Sequence, residues 1–215
     1  MTIIAMPAST NNYLVGRGGK KIQRIIIHVT DGNYPGCAHW FQNPAAHVSA
    51  HYIVAMSGEV AQCVAEANTA FQAGDFRVNQ TTLGIEHEGT PSYGPWAPTQ
   101  PQLEVSAALV AGLCKKYGIA PGAATIIAHS SINSGHHCPG TSWPWSKYLG
   151  MVQAAMNPPA PVVPKLPPAH TKSPDQNRSL RIFDPASNTV IGAGSLIEGS
   201  DKVYLTAETL AALRK

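Results

Sequence analysis

Two histidines close two short apolar runs, and a cysteine follows the second of them. His28 ends the run Arg24-Ile25-Ile26-Ile27-His28, and His129 ends Thr125-Ile126-Ile127-Ala128-His129. Cys138 stands nine residues further on, in His136-His137-Cys138-Pro139-Gly140. If both runs are strands of one sheet, two imidazoles and a thiolate can converge on one point at a sheet edge. His and Cys both suit Zn²⁺, and three protein ligands leave the fourth tetrahedral position open for water, as a catalytic site requires. The competing reading of any one of these histidines is a satisfied core or surface side chain, so the placement has to be tested against the elements around it.

Those elements can be read from periodicity. Residues 21–28 carry a β-branched run that suits a central strand covered on both faces. Residues 48–55 and 59–64 read as two strands joined at Ser57-Gly58. In 82–88 the pattern alternates, with Leu83, Ile85 and His87 on one face and Gly84, Glu86 and Glu88 on the other. Residues 124–128 form a further short buried strand. The clearest helix spans about 100–117. Thr99 and Gln102 have capping-box spacing at its start, Leu103, Ala107, Val110, Cys114 and Tyr117 share one face, and Gly118 supplies the stop. Smaller helices are expected at 37–43 and 143–155. Strands mixed with helices give an α/β domain around a central mixed sheet.

Composition sets the frame. Of 215 residues 44% are hydrophobic, enough for a buried core, while only 13% are charged, about half the usual share. The net charge of +3 is too small to argue for nucleic acid, and no dense Lys/Arg stripe interleaved with aromatics occurs. No stretch approaches the ~18–20 apolar residues of a membrane helix. The start lacks the charged segment and apolar run of a secretory signal, so synthesis as a cytoplasmic chain is expected. Four cysteines in such a chain read as free thiols or a metal ligand: Cys114 as a small core residue, Cys37 and Cys63 as unpaired structural ones. Residues 157–170 include Asn157 to Pro168, which holds six prolines and can neither continue a helix nor join a central strand. This linker separates a main domain, 1–156, from a C-terminal segment, 171–215.

Five segments in order carry a family resemblance: IIIHVT at 25–30, VSAHYIV at 48–54, NTAFQAG at 68–74, LGIEHEG at 83–89 and IIAHSSINSGHHCPG at 126–140. The chain resembles the type 2 N-acetylmuramoyl-L-alanine amidases, which share a fold with peptidoglycan recognition proteins and certain phage lysozymes. The resemblance covers roughly residues 20–152, and its most specific part is the closing H-x8-C-P-G.

The resemblance implies zinc ligands at His28, His129 and Cys138. It favours Cys138 over the adjacent His137, which in an extended stretch points the other way. It implies that Glu86 is the general base and acid, with Glu88 on the same face as runner-up. Zinc lowers the pKa of bound water to about 7, and a nearby carboxylate can take its proton and pass it to the leaving amine. Two departures stand out. His136 occupies a position where members carry Lys or Thr to hold the developing oxyanion. Phe71-Gln72 replaces a frequent Trp-His. Gln72 and His51 are the candidate substrate contacts, with packing under the sheet edge as the equal alternative for His51. His39, His47 and His87 are read as structural or solvated.

The expected activity is therefore zinc-dependent hydrolysis of the amide between N-acetylmuramic acid and L-alanine in bacterial peptidoglycan, as a lytic, phage-type endolysin. Such an enzyme acts on the wall after release and has no nucleic-acid partner and no membrane insertion. The rivals are a cytosolic muropeptide-recycling amidase, a non-catalytic peptidoglycan-binding receptor and a zinc peptidase. The Pro-rich linker weighs against the first, and the intact ligand set with Glu86 against the second. The segment 171–215 reads as a small α+β appendage. Strands are expected at SLRIF (179–183), TVIGA (189–193) and KVYLT (202–206), followed by a short helix. Wall targeting, oligomerisation and packing on the main domain are all open to it.

Overall fold

The computed structural model describes residues 2–93 and 96–157 in full, apart from the side chain of Tyr93, and the backbone of 179–183 and 190–195. In chain order the strands and helices are β1 (Ile3–Ala5), β2 (Tyr13–Leu14), β3 (Arg24–Val29), α1 (Tyr34–Gln42), β4 (Tyr52–Val54), β5 (Val60–Gln62) and β6 (Thr69–Ala70). There follow α2 (Phe76–Thr81), β7 (Thr82–His87), α3 (Gln100–Tyr117), β8 (Ile126–Ala128), α4 (Trp145–Met156), β9 (Ser179–Phe183) and β10 (Val190–Ser195). Six strands form a mixed sheet in the order β1-β5-β4-β7-β3-β8. β4 and β5 are antiparallel, and the other neighbours run parallel. This is the central mixed sheet that the sequence predicts.

The isoleucine run explains the centre. β3 lies between β7 and β8, and Ile25, Ile26 and Ile27 are fully buried. On one face Ile25, Ile27, Leu83 and Ile85 pack with Leu103, Ala107, Val110 and Cys114 of α3 and with Tyr148 and Val152 of α4. On the other, Ile53, Ala61 and Cys63 pack with Ala38 and Phe41 of α1. His28 and Glu86 are register partners on adjacent strands and point to this second side.

The ends of α3 follow the sequence, with one difference. Thr99 Oγ1 accepts from Gln102 N (3.3 Å), and Gly118 takes the left-handed conformation at φ 66°. The Gln102 side chain does not close the box. Its Nε2 donates to the carbonyls of Val54 and Glu88, both at 3.0 Å. The buried Val54 carbonyl and the half-buried Glu88 carbonyl need a donor, so the glutamine ties α3 to the sheet instead.

A second anchor carries no sequence signature. Arg17 is buried, and its guanidinium donates to the carbonyls of Glu66 (2.6 Å), Asn79 (3.2 Å), Gln80 (3.0 Å) and Thr82 (3.0 Å). Glu66 in turn accepts from Tyr52 and Tyr117 and pairs with Lys116 at 2.9 Å. Burial pushes the Glu66 carboxyl up, but the bonds from Tyr117, Tyr52 and Lys116 outweigh it and hold the group below the usual 4.5. A depressed folded-state pKa gives stability that is present above pH 4.5 and lost as the pH falls through the folded value. Glu66→Gln should cost about 1–3 kcal/mol at pH 7, read by urea denaturation, and the gap to wild type should close in acid.

The chain divides into two compact units, residues 1–162 and 163–215. In the second, β9 and β10 form an antiparallel pair, which places strands at SLRIF and close to TVIGA. The expected strand at 202–206, the short helix after it and the linker after Asn157 lie outside the described residues.

Candidate active site

The site is built at the ends of β3, β7 and β8, where a cleft of about 1630 Å³ opens. β3 delivers His28, and the turn that follows β8 delivers His129. The loop after it folds back so that Ser130 N donates to the Cys138 carbonyl (3.0 Å) and Val29 N donates to Cys138 Sγ (3.0 Å). One nitrogen of each histidine and the Cys138 sulfur lie within 4.8 Å of one another, and both histidines are buried. The three ligand candidates thus converge as the spacing predicts. His137 lines the cleft but is exposed and stands outside this group.

The electrostatics suit a cation. Burial, and next the charge of His129, lower His28 to about 3, and burial with His136 also lowers His129. Both imidazoles therefore stay neutral at neutral pH, the form a metal binds. Burial, and next Glu86, push the Cys138 thiol up, so a thiolate there needs a positive charge beside it. His129 Nε2 is sealed from solvent with no hydrogen-bond partner. A buried orphaned nitrogen beside a second imidazole and a thiol fits a divalent cation that prefers nitrogen and sulfur.

Glu86 faces the same cleft. Its Oε2 is buried and unpartnered, and burial raises the carboxyl to about 8. Glu88, the runner-up, is committed elsewhere: its two carboxylate oxygens accept from Tyr34 N (3.1 Å) and Met56 N (2.8 Å). His136 is exposed on the cleft rim and stacks on His129, with ring centroids 4.5 Å apart.

The two expected substrate contacts fare differently. Gln72 lines the cleft, but both ends of its carboxamide are engaged, with His28 at 2.8 Å and Thr82 at 2.9 Å. His51 is a correction. It is fully buried away from the cleft, its Nδ1 accepts from Gly84 N (3.0 Å), and its Nε2 lies against Arg17 and the Asn68 carbonyl. The backbone donor on β7 holds it under the sheet, so packing is its role. His87 is structural as expected: it is buried, with Nδ1 on the His28 carbonyl (2.9 Å) and Nε2 on Ser106 (2.7 Å).

Sequence reasoning missed Trp40. It lies on α1, remains 53% exposed and forms part of the cleft wall. An exposed tryptophan is the usual flat face for a sugar ring or peptide, but its side of the helix is unreadable until α1 is docked through Ala38 and Phe41.

Fold and site together present an arrangement suited to metal-assisted hydrolysis at the strand ends of an α/β sheet. A family profile described as N-acetylmuramoyl-L-alanine amidase matches residues 18–141. N-acetylmuramoyl-L-alanine amidase A of Achromobacter lyticus is 31% identical over 166 residues, covering 68% of this chain and 90% of that protein. Among solved structures, AmpD superposes with a TM-score of 0.59 at 24% identity, over 70% of this chain and 94% of that one. A mutant endolysin from Bacillus subtilis gives a TM-score of 0.57 at 20% identity, over 71% of this chain and 99% of that one. The chain belongs to the N-acetylmuramoyl-L-alanine amidase family. Its activity is accordingly that of a peptidoglycan amidase, hydrolysis of the amide that joins N-acetylmuramic acid to L-alanine.

Proposed function

We propose that this amidase is zinc-dependent and lytic, a phage-type endolysin that is made in the cytoplasm and acts on the bacterial wall after release. The observation that carries the zinc reading is the convergence of His28, His129 and Cys138 within 4.8 Å, beside Glu86 on the neighbouring strand, whose Oε2 is buried. His28, His129 and Cys138 would hold the ion, and zinc bound there supplies Lewis acidity toward a water and the scissile carbonyl.

The remaining work falls to the chain's own side chains. Glu86 takes a proton from the attacking water as its oxygen bonds to the lactyl carbonyl carbon. When the C–N bond breaks, Glu86 returns that proton to the leaving L-alanine amine. A carboxyl raised to about 8 by burial suits both halves of this exchange near neutral pH. His136 on the rim donates an N–H to the carbonyl oxygen as negative charge grows on it.

The lytic reading is supported by the second compact unit after residue 162 and by the proline-rich stretch before it. An enzyme for small soluble muropeptides has no need of either. On this reading residues 171–215 form a wall-targeting or oligomerising module. Digestion of purified sacculi, followed by mass spectrometry, tests the whole proposal. The expected products are free L-alanine amino termini on intact glycan, with a chelator abolishing their release. Cleavage of soluble muropeptides with no action on sacculi would favour the recycling amidase.

A further inference from the structure

Gln72 occupies a position for which the amidase reaction as described has no use, yet its backbone and both ends of its carboxamide are held by hydrogen bonds. Its backbone N–H donates to Asn79 Oδ1 (3.2 Å), which also accepts from Ala73 N (2.9 Å), so α2 fixes where the side chain begins. The carboxamide then lies across β7 over Gly84, and a Cβ at Gly84 would overlap its Oε1. Only a residue without a side chain leaves that space.

The hydrogen bonds decide the orientation of every group in turn. Thr82 Oγ1 donates to the Val78 carbonyl at 2.8 Å, so toward Gln72 it can only accept. The end of Gln72 that meets it, at 2.9 Å, must therefore be the NH₂. Its carbonyl oxygen then faces His28 Nε2 at 2.8 Å, and an oxygen can only accept there. His28 must carry its proton on Nε2, and in a neutral imidazole the lone pair is left on Nδ1.

We propose that Gln72 is a positioning residue that locks His28 in the Nε2–H tautomer, through the chain Val78 carbonyl, Thr82 hydroxyl, Gln72 carboxamide, and so presents Nδ1 to the cation. The proposal rests on the zinc reading above and assigns an oriented partner to one ligand of that site. Such outer partners fix the ring and raise ligand basicity, and their loss typically weakens metal binding about 10–100-fold.

Two measurements on the full-length protein test it. The first needs no metal and no variant: NMR of the imidazole nitrogens in metal-free wild type should show His28 protonated at Nε2. An Nδ1–H tautomer overturns the proposal outright. The second is zinc affinity by competition with a chromophoric chelator. Gln72→Ala should bind about 10–100-fold more weakly. Gln72→Glu should recover most of the affinity, because a carboxylate also accepts from Nε2–H and the Thr82 hydroxyl can turn to donate to it. Equal affinity of Gln72→Ala and wild type overturns the positioning role while leaving the zinc reading intact. Wild type that binds no zinc overturns the zinc reading and, with it, the assignment of Nδ1 to a cation.

Discussion

Cys138→Ser should abolish both zinc binding and turnover while leaving a folded protein. The serine hydroxyl can still accept from Val29 N, which donates to the sulfur at 3.0 Å in the wild type, so the loop retains its anchor. What the variant would lack is the soft thiolate that Cys138 offers in the His28, His129 and Cys138 cluster. The readout with the largest expected amplitude is thermal. A ligand that binds only the native state stabilises it by about 4 kcal/mol at a thousand-fold excess over its Kd. For a domain of this size that is roughly ten degrees in Tm. Wild type stripped with a chelator should therefore gain roughly ten degrees when zinc is restored, and Cys138→Ser should gain nothing. A zinc-dependent rise in the variant equal to that of wild type would remove Cys138 from the ligand set and return His137 to contention.

What the sequence discloses and what it hides divide along a physical line. The isoleucine run of β3, the alternation of β7 and the caps of α3 are local patterns, and they place His28, Glu86 and His129 at strand ends without further information. Parallel pairing of β3 with β7 and β8 brings these three to one sheet edge, and the loop after β8 adds Cys138 by folding back onto Val29 N and Ser130 N. Hidden were the residues whose partners lie far along the chain. Nothing in the pattern around Arg17 points to carbonyls at 66, 79, 80 and 82. Gln102 reads locally as half of a capping box, yet the carbonyls of Val54 and Glu88 claim it. Glu86 of β7 and Glu88 just beyond its end share a face in the sequence pattern and look interchangeable. They are separated only by the N–H groups of Tyr34 and Met56, which reach Glu88 and leave Glu86 unpartnered. β1, three residues long and paired in parallel with β5, is too short for periodicity to register.

That difference between the two glutamates gives the last expected result. Glu86→Gln should lose turnover on the order of 10²–10⁴-fold, the usual worth of a general acid–base group, while still binding zinc. The same substitution should stabilise the metal-free protein at alkaline pH. Burial raises the Glu86 carboxyl from 4.5 to about 8, so between these values the native state holds a proton that the unfolded chain has released. Stability is then fully present below pH 4.5 and is lost as the pH rises to about 8, because the unfolded state binds fewer protons across that window. The amide of Glu86→Gln has no charge to desolvate and escapes the loss. Denaturation of the chelated proteins at pH 4 and pH 9 should therefore show the variant ahead of wild type only at pH 9. Glu88→Gln should behave in the opposite way. It weakens two hydrogen bonds from half-buried backbone N–H groups and costs about 1–3 kcal/mol, with turnover per folded molecule retained. An inactive Glu88→Gln beside an active Glu86→Gln would transfer the proton-handling role to Glu88. A Glu86→Gln that loses activity without gaining alkaline stability would keep the catalytic role and show that the folded-state carboxyl is not held above its unfolded pKa.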